Sequence, residues 1–182
     1  MEALLEAALR LAAPLLLAAL GELVVERAGV VNIGIEGMLL SAAFTGAIVG
    51  SASGSLWVGL LGGALVGALL AWVLAVLSIR HSVDQIIGGT FINIFALGMT
   101  SYLSSRVLQE YQDLNNPGRF QPVDIPLLSD IPIIGPVLFN NNVFVYLMFG
   151  LVALIYVGLF YTRWGLRTRA VVTGKEERGG LE

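Results

Sequence analysis

Four charged side chains, Glu22, Glu26, Arg27 and Glu36, crowd the head of a run from Gly37 to Ile79 that holds 43 residues and no charge. Glu36 is the residue whose placement carries the most chemistry. A carboxylate one residue ahead of such a run lies at a lipid interface or inside the membrane with a partner, because an unpaired charge in hydrocarbon is costly. Arg27 is the natural partner and Asn32 a second. Three roles follow for Glu36: an ion pair bracing the segment around it, direct contact with a translocated solute, or exposure at the headgroup level. A second polar constellation is Gly89, Asn93, Thr100 and Ser104, which helical periodicity gathers near one face with Ala96 between them. An amide facing lipid lacks partners, so this stripe should face a bundle interior, as interhelical hydrogen bonding or as the lining of a pathway.

The same inventory excludes other chemistry. No nucleophile–base–acid set and no phosphate-binding loop followed by Lys-Ser/Thr occurs, so no catalytic residue and no cofactor is expected. Zero cysteines and the single His81 leave no metal site to expect. No basic stripe with interleaved aromatics is present, which argues against nucleic acid as a partner.

These residues need elements to hold them. The chain is 57% hydrophobic and 13% charged, too few charges to cover a soluble core of 182 residues. One helix of 43 residues would measure about 65 Å, twice a bilayer's hydrocarbon core. The run must therefore fold back, and Ser51-Ala52-Ser53-Gly54-Ser55 is the turn. Spans are predicted from about Met38 to Gly50, Leu56 to Ile79, Ile86 to Ser104 and Val143 to Thr162. Residues 1–10 read as an amphipathic helix start with Glu6 and Arg10 paired at i,i+4. Residues 11–25, interrupted by Pro14, leave open whether a further crossing precedes the others. Val30-Val31-Asn32-Ile33-Gly34-Ile35-Glu36-Gly37 reads as irregular backbone or a helix break leading into the next span. The expected fold is all-α, a polytopic transmembrane bundle of about five spans.

Gly46, Gly50 and Gly54, and again Gly59, Gly63 and Gly67, recur every four residues and predict close helix packing. Trp57 and Trp164 are expected as interface anchors. Residues 105–142 contain five of the six prolines and form the long non-spanning stretch. Arg163, Arg167, Arg169, Lys175 and Arg178 place the C-terminal tail in the cytoplasm by the positive-inside rule. The proline-rich loop and the Ser51–Ser55 turn are then external, and the Arg80-His81 loop is internal.

Residues 21–38, Gly-Glu-Leu-Val-Val-Glu-Arg-Ala-Gly-Val-Val-Asn-Ile-Gly-Ile-Glu-Gly-Met, closely resemble the early motif of membrane permease subunits of ABC importers. The branch is the one for branched-chain amino acids, simple sugars and nucleosides. Asp84-Gln85-Ile86-Ile87-Gly88-Gly89, continuing through Asn93 and Leu97-Gly98-Met99-Thr100-Ser101, resembles a second block of the nucleoside and simple-sugar members. Ile125-Pro126-Leu127-Leu128-Ser129-Asp130-Ile131-Pro132, with Gly135 and Phe139, is similar to their external loop. The resemblance covers most of residues 12–170 and is most like nucleoside permeases.

It implies a multi-pass subunit of a prokaryotic plasma (inner) membrane that imports a nucleoside or related simple sugar by alternating access. It also implies as partners a second permease subunit, ATP-binding subunits and an extracytoplasmic solute-binding protein, all in membrane lipid. Asn32, Glu36, Thr90, Asn93 and Thr100 become candidates for the substrate pathway. Glu26, Arg27, Gly34 and Gly37 become structural residues of the motif, and Gly165, Leu166, Arg167, Arg169 and Ala170 candidates for coupling to the ATPase. Past Val171 the family pattern, roughly Gly-Glu-Asn-Pro and further spans, gives way to Val172-Thr173-Gly174-Lys175-Glu176-Glu177-Arg178. The expectation is a permease region over 1–171 and a divergent cytoplasmic tail over 172–182, from a truncated or frameshifted permease. Two other readings stay open: a self-sufficient channel or secondary transporter using Glu36, and a non-transporting remnant.

Overall fold

A computed structural model describes residues 2–124, 140–168 and 170. Its main elements are helices α1 (Glu2–Arg27), α2 (Ile35–Ser53), α3 (Leu56–Arg80), α4 (Gln85–Glu110) and α5 (Val143–Tyr161). A 3-10 turn at Gln112–Asn115 follows α4, and strands β1 (Pro122–Asp124) and β2 (Asn140–Asn142) pair antiparallel with Val123 opposite Asn141. All five helices are long and apolar enough to cross a membrane. The all-α class and the count of about five spans therefore hold, with a three-residue ribbon added.

Two boundaries differ most from expectation, while α2 begins three residues before Met38 and runs three past Gly50. Helix α1 runs without a break through Pro14 and includes the span Leu4–Arg27, so the question left open at residues 11–25 resolves to a full-length apolar helix. Proline costs one backbone bond to the residue four before it, and Arg10 stands there with its side chain donating to Glu6, the expected i,i+4 pair. Helix α4 continues six residues past Ser104. Its end is closed locally: the Tyr111 N–H donates to the Val107 carbonyl at 2.8 Å and Asn115 Nδ2 to the Leu108 carbonyl at 3.3 Å. The external-loop residues 125–139, Arg169 and the tail 171–182 lie outside the described residues.

The chain divides into two compact units, one of Met1–Val30 with Phe120–Glu182 and one of Val31–Arg119. In the first, α1 packs on α5 through side chains. Ala13, Val145 and Met148 are buried together, with Leu9 and Leu17 against them. Leu9, Ala13 and Leu17 recur every four residues, so one face of α1 makes the seam. Asn142 caps α5, its Oδ1 accepting from the Phe144 N–H at 3.0 Å.

In the second unit α2, α3 and α4 pack around Met38, Leu74 and Ile92, one residue from each helix. The α2–α3 hairpin is a backbone-to-backbone seam. A Cβ on Gly59 would come within 2.6 Å of the Gly46 carbonyl oxygen, and one on Gly63 within 2.6 Å of the Ala42 carbonyl oxygen. The four-residue glycine spacing is thus close packing, as expected. Gly54 is the exception in that series: at φ 65° it is the left-handed C-cap of α2, its N–H donating to the Ser51 carbonyl, and it makes the turn rather than the seam. Ser55 then caps α3 from an extended conformation. Trp57, exposed in the first turn of α3, and exposed Trp164 have the placement that suits interface anchors.

Candidate functional site

Asp84 opens α4 by accepting from the Ile86 N–H at 2.8 Å and the Ile87 N–H at 3.4 Å. From that fixed start, Gln85, Gly89 and Asn93 follow at four-residue intervals and form one stripe along the helix. The segment Val31–Gly37 lies along this stripe. The Val31 N–H donates to Gln85 Oε1 at 2.8 Å. Gly34 and Gly89 meet so closely that a Cβ on Gly89 would stand 2.7 Å from the Gly34 nitrogen. Asn93 makes two bonds: its Oδ1 accepts from the Gly37 N–H at 2.7 Å, and its Nδ2 donates to the Ile33 carbonyl at 2.9 Å. Residue numbers rise together on the two sides, so segment and helix run in the same direction. Val31 and Gly37 are separated by about 12 Å along α4, at 1.5 Å per residue.

This contact solves a problem the sequence creates. Helix α2 begins after Gly34, which offers no capping side chain. The first N–H groups of a helix have no internal partner, and Gly37 is buried, so water cannot replace one there. The Met38 N–H closes on the Gly34 carbonyl at 3.1 Å, and Asn93 reaches across from α4 to take the Gly37 N–H. The cap of α2 therefore comes from another helix. Gly37 is required for it: a Cβ there would lie 2.8 Å from Asn93 Cα and 2.9 Å from the Ile92 carbonyl oxygen.

Glu36 lies in the first turn of α2, between the two backbone groups that Asn93 holds. It is exposed on the surface of its unit. The partial positive charge at a helix start favours a carboxylate there. Asn32 is half-buried beside it in sequence, with its Nδ2 3.6 Å from Met38 Sδ.

The expected polar stripe of α4 faces inward: Gly89, Ala96 and Thr100 are buried and Asn93 is partly so. The Thr100 hydroxyl donates to the Ala96 carbonyl at 2.6 Å. Thr90 stands apart from that face. It is exposed, and its hydroxyl donates to the Ile86 carbonyl at 2.7 Å. Glu26 and Arg27 close α1 in the other unit, where the Gly29 N–H donates to the Glu26 carbonyl at 2.9 Å.

The coupling candidates begin at a second tight turn. Thr162 ends α5 in an extended conformation, and residues 163–168 resume a helix. Its hydroxyl donates to the Gly158 carbonyl at 2.5 Å and accepts from the Gly165 N–H at 3.3 Å. Gly165 is buried against the Gly158 and Leu159 carbonyl oxygens, where a side chain would collide. Leu166, Arg167 and Ala170 are exposed. Sequence reasoning missed two residues here, Gln85 and Thr162. The four-residue spacing of Gln85, Gly89 and Asn93 was the available signal for the first; Thr162 carried none beyond its place at the end of an apolar run.

The family described as branched-chain amino acid transport system / permease component matches residues 4–177. The chain is 35% identical to the guanosine ABC transporter permease protein NupQ of Bacillus subtilis, over 88% of this chain and 52% of that protein. It is also 35% identical to a putative glucose ABC transporter permease protein, TsgC13, of Haloferax volcanii, over 92% of this chain and 51% of that one. With the nucleoside ABC transporter permease protein NupC of Lactococcus lactis it shares 31% identity over 87% of this chain and 52% of the relative. The chain spans about half the length of these curated relatives. No solved structure matches it.

Proposed function

The chain belongs to the family of the branched-chain amino acid transport system / permease component, and we propose that it supplies part of the membrane pathway of an ATP-driven importer of nucleosides or related sugars. The observation that carries the proposal is the broken, cross-capped entry to α2, which sets the Glu36 carboxylate at the head of an apolar helix within a family of permeases. It is a multi-pass membrane protein and no enzyme. Two of the relatives named above are nucleoside permeases and one is a putative glucose permease, which supports a polyhydroxylated solute over an amino acid despite the family's description.

With the basic C-terminal segment in the cytoplasm, five crossings put the N-terminus outside and the Val31–Gly34 segment near the inner surface, beside the Arg80-His81 loop. The membrane is the plasma membrane of a prokaryote. Glu36 and Asn32 are then at the inner half of the pathway, where a carboxylate and an amide can accept from and donate to solute hydroxyls. Thr90 is a further pathway candidate. Thr100 spends its hydroxyl on its own helix and shapes the packing behind them. The partners are a second permease subunit, ATP-binding subunits and an extracytoplasmic solute-binding protein. Gly165, Leu166, Arg167, Arg169 and Ala170, which follow Thr162, are the coupling candidates. ATP binding by the partner would act there, and the helices would alternate between inward-open and outward-open packing.

Affinity purification from native membranes in mild detergent tests this reading. An ATP-binding subunit should co-purify, with hydrolysis that rises on adding nucleoside. A chain that purifies alone and passes solute in liposomes without ATP would overturn it in favour of a self-sufficient channel or secondary transporter.

A further inference from the structure

We propose that Asn93 is a positioning residue for Glu36 rather than a solute contact, and that it makes the Val31–Gly37 segment and α4 move as one piece. The inference rests on the pathway reading for the role of Glu36, and goes beyond it in assigning what Asn93 does.

Three observations carry it. Both polar atoms of the Asn93 side chain are committed to backbone: Oδ1 to the Gly37 N–H at 2.7 Å and Nδ2 to the Ile33 carbonyl at 2.9 Å. Those two groups bracket residues 34–36, so the carboxamide grips the chain on either side of Glu36. The gap is also closed against alternatives, because Gly37 lies against Asn93 Cα and Gly89 against the Gly34 nitrogen, with no room for a side chain at Gly37 or Gly89. Finally, the Val31 N–H donates to Gln85 Oε1 two turns earlier on the same face of α4, giving the segment a second attachment. A segment fixed at both ends and packed backbone to backbone in between has no freedom to shift along α4 alone. Any movement of α4 then carries the carboxylate with it.

The test uses the natural full-length protein in inside-out vesicles of its native membrane, which present the inner surface to the reagent, and exploits the absence of cysteine from these 182 residues. With Glu36→Cys introduced, and any cysteine elsewhere in the natural protein replaced, a membrane-impermeant maleimide reports how firmly position 36 is held. Asn93→Ala added to Glu36→Cys removes both bonds and should raise the labelling rate by about fivefold or more, a population change that loss of even one hydrogen bond can produce. Asn93→Asp, which keeps an acceptor for the Gly37 N–H, should fall between the two. A His81→Cys control in the exposed loop between α3 and α4 should label equally in every Asn93 background, which distinguishes release of the segment from a failure to fold.

In solute uptake, Asn93→Ala should raise the KM of all accepted solutes by a common factor, and should have no further effect once Glu36→Gln is present. Equal labelling of the Glu36→Cys thiol with and without Asn93 would overturn the proposal. So would an Asn93 variant that reorders solute preference in the Glu36→Gln background, since that marks direct contact. The labelling arm needs no transport, so it stands or falls separately from the importer reading.

Discussion

The two units solve the problem of packing helices in lipid by opposite means. In Met1–Val30 with Phe120–Glu182, α1 and α5 meet through side chains, with Ala13 set against Val145 and Met148. In Val31–Arg119, α2 meets α3 and α4 through backbone, with Gly59 at Gly46, Gly63 at Ala42, and Gly37 at Asn93. Away from the seams, both units have glycines that make no contact: Gly21 and Gly150 in the first and Gly98 in the second have nothing within 4 Å of where a Cβ would stand. Lipid tails are as apolar as leucine, so burying a side chain gains little over leaving it in lipid, and close approach with polar bonds is what separates a fixed seam from a loose one. The unit that carries Glu36 has the fixed seam. That is where a carboxylate needs its surroundings held.

The largest expected effect comes from closing the backbone seam. Gly59→Val puts a branched side chain where even a Cβ meets the Gly46 carbonyl oxygen at 2.6 Å, so α2 and α3 must separate. The expected loss is about 3 kcal/mol, the upper end for overpacking, read as a lower thermal midpoint of the purified protein in detergent. A change of a few tenths would mean that the hairpin is not built on glycine contact. Met148→Ala, in the side-chain seam, should cost about 1–2 kcal/mol. That is less than the same truncation in a soluble core, because the separated helices already rest in an apolar solvent. A cost as large as that of Gly59→Val would erase the contrast between the units. Smallest, and opposite in sign, Gly150→Ala should stabilise by about 0.5 kcal/mol, since it relieves glycine's helix penalty and meets no neighbour. Destabilisation there would reveal a packing partner for that face.

Much of this was legible in the sequence, and the reasons differ by residue. The charge-free run and its serine-glycine turn determined α2 and α3, because length against bilayer thickness leaves one way to fold the run. The glycine spacing predicted the seam, although Gly54 belonged to the turn, a distinction that depends on φ rather than on spacing. The inward face of α4 followed from its period. Pro14 obscured α1, because a missing backbone bond weakens a helix without ending it when the rest of the segment is apolar. The partners of Asn93 were out of reach. Periodicity assigns a residue to a face of its own helix, and Ile33 and Gly37 lie 60 and 56 positions away.

The central claim is that this chain carries solute for an ATP-driven importer, with Glu36 at the pathway. It is tested most directly by uptake of labelled guanosine and glucose into energised membrane vesicles from cells of the source organism, with the chromosomal gene deleted and then restored. ATP-dependent accumulation should disappear on deletion, return with the wild-type gene and return only weakly, with a raised KM, with Glu36→Gln. Accumulation that survives deletion, that the Glu36→Gln gene restores in full, or that runs on an ion gradient without ATP would contradict the account.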